Sequence, residues 1–388
     1  MSTTSPELAI EKIRLGEENK GYINLLNEQI EALFKNVLQL MLKDPSSAIF
    51  VHKTIAWQKQ AARVRHFWGE KGVHVPPLLI ASITHRCNLH CHGCYARAQH
   101  RFPVTEMSTA KLWSVITEAK KVGISIIFIA GGEPLTRPEI LDITGDSPEI
   151  IFPLFTNGTL MDKKTVSKLK KQRNVVPVIS LEGTECETDA RRGQGVYEYA
   201  LNTMKMMKKQ GIFFGTSLTL TRENFDVITD ESFIKKLMDS GCRLFFFLDY
   251  VPVQEGTENL VLTSRQRAKE ARLVASFRGH LPGIFIAFPG DEEMFGGCLS
   301  AGRGFVHVSP EGNLEPCPAA PYSDTSLMGK SLIEALKSDF LRTIRQNHDR
   351  LGETESGCVL WEKRAWVRSL LSPEESNRTQ DTMGAGSD

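Results

Sequence analysis

The sequence predicts an α/β protein built on a partial (β/α)6 TIM-like barrel, with an N-terminal helical region and a small C-terminal extension. Three observations carry this. Between Leu78 and Tyr250, six short apolar runs alternate with stretches of helical character, as parallel strands joined by crossover helices do. Their connections are short, which favours a parallel sheet wound as an open barrel. The residues best suited to chemistry fall directly after the apolar runs, at the strand ends where such folds place their sites.

In chain order, residues 1–20 read as a flexible leader. Over 21–43, Ile23, Leu26, Ile30, Leu33, Phe34, Val37 and Met41 share a helical face, and Asp44-Pro45 ends the helix. A second helix runs from about Ala48 to Trp68, with Ile55, Ala62, Phe67 and Trp68 among Lys53, Lys59, Arg63 and Arg65, and Gly69 and Gly72 close it. The two helices read as a cap packed on the following domain. An amphipathic surface for a membrane or lipid substrate is the alternative. The six predicted strands are 78–83, 125–129, 150–155, 175–180, 213–220 and 243–250. Between them, Ser108 is suited to N-cap a helix ending at Gly123. Further helices are expected over 162–171, through the methionine-rich Met204, Met206 and Met207, and near 230–240. The expected units are 1–75 (leader and cap), 76–290 (barrel), 291–370 (extension) and 371–388 (a polar, disordered tail).

The first strand leads into Cys87-Asn88-Leu89-His90-Cys91-His92-Gly93-Cys94-Tyr95, with three thiols in eight residues. They cannot all pair with one another, and their spacing suits one soft metal centre. An iron–sulfur cluster fits the spacing. A zinc site completed by His85, His90, His92 or His100 remains open, as do redox thiols. Eight cysteines in a chain whose N-terminus lacks an apolar signal core point to a reducing, cytoplasmic compartment. A net charge of +1 gives no general attraction to nucleic acid.

The second strand ends in Gly131-Gly132-Glu133-Pro134, where glycines allow close approach to the backbone and a carboxylate suits an ammonium group. With the Cys-x3-Cys-x2-Cys loop before it, this pattern resembles the radical S-adenosylmethionine (SAM) enzymes. The resemblance implies that Cys87, Cys91 and Cys94 hold a [4Fe-4S] cluster whose open iron chelates SAM. It implies reductive cleavage of SAM to a 5′-deoxyadenosyl radical, which takes a hydrogen from a peptide, a protein or a small molecule. Gly131, Gly132 and Glu133 would hold the SAM amino group. The position before the last cysteine is commonly aromatic in that family and contacts adenine through its backbone. Here it is Gly93, with Tyr95 on the other side of Cys94. Ser180 and Glu182, after the fourth strand, would serve the ribose and carboxylate, and Asn157 the cofactor or substrate; Thr219 and Arg222 are weaker candidates. Ser180 and Glu182 are also readable as ordinary polar strand ends, and Asn157 reads first as a turn residue. No residue is singled out as the catalytic one. Cys186 and Cys242 are isolated and read as structural.

A second cysteine group, Cys298, Cys317 and Cys358, surrounds Gly304–Cys317, which reads as a hairpin turning at Pro310-Glu311-Gly312-Asn313. This resembles the SPASM/Twitch extensions of radical SAM maturases. Three cysteines fit the shorter Twitch type, with one auxiliary [4Fe-4S] cluster whose fourth ligand is unassigned; three unrelated thiols are the alternative. A helix is expected over 331–347. The resemblance also implies a reductant such as flavodoxin or ferredoxin. The N-terminal helices lack the strands of a peptide clamp, and no cobalamin domain is visible. A lipid substrate, or a non-catalytic zinc-stabilised scaffold, is the competing reading.

Overall fold

The computed structural model describes residues 6–41, 45–99, 105–351 and 357–372. His100, Asp44 and the tail beyond residue 372 lie outside these. Its centre is a curled sheet of strands β1 (Leu78–Ser82), β2 (Ile126–Ala130), β3 (Phe152–Thr156), β4 (Val175–Leu181), β5 (Gly215–Leu220), β6 (Leu244–Asp249), β7 (Ile284–Phe288), β8 (Phe305–Val308) and β9 (Leu314–Glu315). The order is β7-β6-β5-β4-β3-β2-β1-β8-β9. Strands β1 to β7 pair in parallel as a half-barrel, as the alternation predicts.

The period-two pattern divides the strands between two faces. In β2, Ile127 and Ile129 join the main core under the surrounding helices, while Phe128 joins the clusters on the concave face. Helix Thr109–Val122 begins where expected: the Ser108 hydroxyl accepts the Lys111 N–H at 3.1 Å. Gly123 ends it at φ +95°, and a β-carbon there would meet the Ala61 carbonyl oxygen at 2.7 Å. Helix Val196–Lys209 buries Met204 and Met207 completely.

Four features differ from expectation. The segment read as a leader is helical: α1 spans Pro6–Met41, because no proline breaks it after its first residue. A seventh parallel strand, β7, pairs with β6. Helix Ser264–His280 before it is polar, with only Glu270, Val274 and Phe277 buried, so the β/α alternation is faint there. The expected helix over 331–347 is two helices, Leu332–Ala335 and Asp339–Gln346, because the Ser338 hydroxyl accepts the Leu341 N–H and starts the second. Finally, the cysteine hairpin β8–β9 is continuous with the sheet: β8 pairs in parallel with the free edge of β1.

The N-terminal helices cap this sheet. Leu26, Ile30 and Phe34 of α1 pack with Ile126, Ile151 and Phe295, and Leu33, Val37 and Leu40 with Val178, Leu244, Phe246 and Ile284. An apolar cavity of about 820 Å³ lies between α1 and the N-terminal ends of the strands. Phe128 and Phe246 line it and pack with Phe155, the three ring centroids 5.2 to 5.8 Å apart.

Helix α2 (Pro45–Glu70) packs Phe50 and Ile55 against the α1 cluster and Trp68 against the main core, and adds buried polar contacts. Arg65 donates to the Gly123 carbonyl at 2.6 Å and to Asn27 of α1 at 2.5 Å, and burial lowers its pKa to about 10. Arg65→Leu strips both acceptors of their donor inside the protein. It is expected to cost about 2–4 kcal/mol, read as a lowered urea midpoint with an unchanged slope. An unchanged midpoint would show that the cap does not depend on this contact.

Candidate active site

The concave ends of β1 to β6 gather the candidate residues. The loop after β1 carries Cys87, Cys91 and Cys94, none of them in a disulfide. It is held at three places. The Gly131-Gly132 turn after β2 lies directly against its entry: Gly132 N–H donates to Thr84 O at 2.7 Å and Glu133 N–H to Arg86 O at 2.8 Å. A β-carbon on Gly132 would stand 2.3 Å from Arg86 O, and one on Gly131 2.5 Å from Thr84 O. The two glycines therefore bring the turn onto the cysteine loop itself. Asn157, after β3, donates to Asn88 at 2.9 Å, and Asn88 donates to Thr159 at 2.7 Å. At the far side, His92 N–H donates to Arg191 O at 2.9 Å, and Arg191 Nε to His92 O at 3.1 Å.

Glu133 is buried and rigidly held. Its Oε1 accepts from Leu135 N–H (3.0 Å) and the Thr156 hydroxyl (2.7 Å), and its Oε2 from Asn157 N–H (2.8 Å). Burial raises its pKa against the pull of those donors. Glu182 has no exposure at all. Its Oε1 takes Arg191 at 2.6 Å and Arg192 at 2.5 and 2.8 Å, while its Oε2 is buried without a hydrogen bond. Ser180 accepts from Ser217 at 3.1 Å.

The electrostatics tie these groups to the thiols. Burial raises the Cys87 pKa, and the Glu133 charge and the neighbouring thiols add to it. Burial also raises Cys91, where Arg192 and Arg191 pull the other way. Arg192 keeps its proton against burial because Glu182 and the Cys91 and Cys94 sulfurs favour its charge.

Three residues absent from the sequence reading stand beside Gly93 and Cys91. Gly93 adopts φ +64°, and a β-carbon there would meet the Tyr250 hydroxyl at 2.4 Å. The phenol of Tyr250, from the end of β6, thus fills the space a side chain at 93 would enter, and it donates to Thr257 at 2.9 Å. Arg191 and Arg192 sit at the end of helix Glu185–Arg192, where they read as ordinary C-terminal cations. Arg222, by contrast, donates to Val261 O at 3.1 Å, so it serves the loop after β6. The Thr219 carbonyl accepts from Asn224 at 3.0 Å. Cys186 is exposed and Cys242 buried, its thiol donating to Leu244 O at 3.3 Å, apart from both cysteine groups.

Tyr95 links the two cysteine groups. Burial raises its pKa, Cys94 and Cys317 add to this, and Ser82 hydrogen-bonds its hydroxyl. Ser82 also meets His307 Nε2 at 2.8 Å, and His307 Nδ1 meets Glu315 at 2.7 Å, a buried polar chain joining β1 to the hairpin. His85 contacts Glu311 in the hairpin turn. In the second group, Cys298, Cys317 and Cys358 are each raised first by burial, and Cys317 feels the other two sulfurs.

Among the described residues, no three His, Cys, Asp or Glu groups converge closely enough to hold a single metal ion. In a cluster each thiolate takes its own iron, so the sulfurs need not meet at one point. The donor set around Cys87, Cys91 and Cys94 fits such a cluster, because thiolates bind iron and Arg191 and Arg192 balance their charge. The orphan Glu182 Oε2 is an acceptor still lacking a donor, as a polyol ligand would supply.

The comparisons with known proteins agree. The model of the Radical SAM superfamily matches residues 81–235. An AdoMet-dependent heme synthase of Methanosarcina barkeri is 29% identical over 276 residues, spanning 64% of this chain and 78% of that protein. The mycofactocin maturase MftC of Mycolicibacterium smegmatis is 27% identical over 277 residues, spanning 68% and 69%. Streptococcus suis SuiB bound to S-adenosylmethionine shares the fold, with TM-score 0.59 and 18% identity over 74% of this chain and 71% of that one. The matched segment is a radical SAM domain, which implies a [4Fe-4S] cluster and SAM, and the chain is an enzyme.

Proposed function

We propose that the chain cleaves SAM reductively to a 5′-deoxyadenosyl radical and uses it to take a hydrogen from a C–H bond of a peptide or a small molecule. The observation that carries this reading is the locking of the Gly131-Gly132-Glu133 turn onto the Cys87–Cys94 loop by two backbone hydrogen bonds. A [4Fe-4S] cluster on those thiolates supplies the electron that breaks the bond from sulfur to the 5′ carbon. Glu133 offers its carboxylate to the SAM ammonium, and its three donors keep that carboxylate in one orientation. Glu182 offers Oε2 to a ribose hydroxyl while Arg191 and Arg192 hold its other oxygen. Gly93 and Tyr95 border the cofactor through the backbone, and Asn157 and Ser180 from the strand ends.

Cys298, Cys317 and Cys358 hold a second [4Fe-4S] cluster in this reading. Their electrostatic coupling and shared burial support it. The barrel with this extension spans about 76–370, behind the helical cap. The electron donor is a flavodoxin or ferredoxin, and the compartment is the cytoplasm, supported by eight cysteines outside any disulfide. No described helix is long and apolar enough to cross a membrane. The names of the relatives divide between tetrapyrrole synthases and peptide maturases, which supports a substrate in either chemical class. A lipid substrate gains nothing from the apolar cavity, which opens at the strand ends remote from the thiols.

The test is anaerobic reconstitution followed by SAM and dithionite, with 5′-deoxyadenosine as the readout. Release of 5′-deoxyadenosine and methionine in equal amounts is expected. A chain loaded with iron that leaves SAM intact would overturn the reading.

A further inference from the structure

We infer that Tyr250 is a positioning residue for the cysteine loop: its ring, brought in from the end of β6, takes the place of the side chain that Gly93 lacks and holds the turn from His92 to Cys94 in position for SAM. The assignment rests on the reading of that loop as a SAM site and goes beyond it by naming what fixes the loop's last turn.

Tyr250 is 2% exposed and directly follows β6. Its backbone N–H donates to Leu220 O at 3.0 Å, which pins it to the end of β5. Its hydroxyl donates to Thr257 at 2.9 Å, and Thr257 donates to Gln254 O at 2.5 Å, both inside the loop that follows. Leu260 and Val261 of that loop pack with it, and Arg222 N–H ties the loop back by donating to Leu260 O at 2.8 Å. A buried phenol fixed at its backbone and its hydroxyl cannot swing aside without breaking those contacts.

Gly93 stands against that ring. It adopts φ +64°, and a β-carbon there would meet the Tyr250 hydroxyl oxygen at 2.4 Å and two ring carbons at 3.0 Å. The same turn is tied to Arg191, since His92 N–H donates to Arg191 O and Arg191 Nε donates to His92 O. The Arg191 guanidinium in turn lies 5.8 Å from the Tyr250 ring centroid and pairs with Glu182. Ring and helix end therefore meet at this turn. Directly after it, Cys94 opens the short helix Tyr95–Ala98, whose Ala98 N–H donates to Cys94 O at 2.9 Å.

Positions 93 and 250 thus share one space: a side chain at 93 excludes the ring, and the ring requires glycine at 93. In the proposed reaction Gly93 borders SAM through its backbone. A turn without the ring has to be ordered when SAM binds, so shortening Tyr250 weakens SAM binding.

The test uses three variants of the full chain. Tyr250→Leu removes the hydroxyl and outer ring atoms that face Gly93 and keeps an apolar residue beside Leu260 and Val261. Tyr250→Phe keeps the ring. Gly93→Asn adds a side chain of the type that best tolerates positive φ. Deuterium uptake of residues 90–95 is measured in the metal-free chain, and SAM binding by equilibrium dialysis in the reconstituted chain without reductant. Tyr250→Leu should raise the uptake and weaken SAM binding about tenfold, while Tyr250→Phe stays near the native chain in both. Gly93→Asn should be more damaging alone than in the Tyr250→Leu background, where the asparagine finds room; the double variant should beat the product of the two single effects by about tenfold. Native uptake or native affinity in Tyr250→Leu would overturn the assignment, as would a Gly93→Asn effect of equal size in both backgrounds. Tyr250→Phe behaving like Tyr250→Leu would overturn the role of the ring. A native chain that takes up iron and binds no SAM would instead overturn the SAM site, and the uptake of residues 90–95 in the metal-free chain would still decide whether Tyr250 holds the turn.

Discussion

Replacing Cys87, Cys91 and Cys94 together by alanine is expected to lower the iron content from about eight to about four per chain and to abolish SAM cleavage. The three thiols stand on one loop, outside any disulfide, with Arg191 and Arg192 supplying the positive charge that thiolates need. The second thiol group is built from other segments, so the cluster proposed there should remain. Iron and sulfide analysis with optical absorbance after reconstitution reads both halves. A fall from about four to none would keep the SAM cluster and remove the auxiliary one. Zinc in place of iron in both proteins would remove the enzymatic reading. Cleavage should fall below detection, because in the proposed reaction the cluster supplies the bond-breaking electron and no side chain substitutes for it.

Gly132→Ala is the second large expected effect, and it comes from steric crowding alone. The added β-carbon would meet Arg86 O at 2.3 Å, with Arg86 C and His85 O both at 2.7 Å. All three are backbone atoms, so no rotamer change relieves the contact. Relief requires the Gly131–Glu133 turn and the cysteine loop to separate, breaking the Gly132 to Thr84 and Glu133 to Arg86 hydrogen bonds. Overpacking of this kind costs about 1–3 kcal/mol, while displacing a reacting group by an ångström costs on the order of 100-fold in rate. A loss of about 100-fold in 5′-deoxyadenosine formation is therefore expected, with the circular dichroism spectrum retained. Gly279→Ala is the control, since no atom stands within 4 Å of its β-carbon position. Equal behaviour of the two variants would show that the turn does not position the loop.

Much of this protein is legible along the chain because it is local. The six strand-helix alternations, the Ser108 cap, the Gly123 terminus and the hairpin turn each depend on residues within one element and its ends. The cysteine spacing and the Gly-Gly-Glu turn are equally local, and they place the site at the strand ends. The polar character of helix Ser264–His280 hides β7, and a serine cap divides the helix expected over 331–347.

Folding alone decided the contacts made across long separations. Whether the glycines at 131 and 132 admit a ligand or a neighbouring loop depends on where residues 84–86 lie. Glu182 meets Arg191 and Arg192 because the helix after β4 turns back over the sheet. Tyr250 fills the space at Gly93, and His307 reaches Ser82, through parallel pairing that sequence periodicity does not specify. The sequence by itself determined the fold class, the two cysteine groups and the chemistry they suit, since periodicity and spacing are properties of neighbouring residues. Only the tertiary structure decided which charges and aromatic rings surround those thiols, because those partners are chosen by strand order and loop packing.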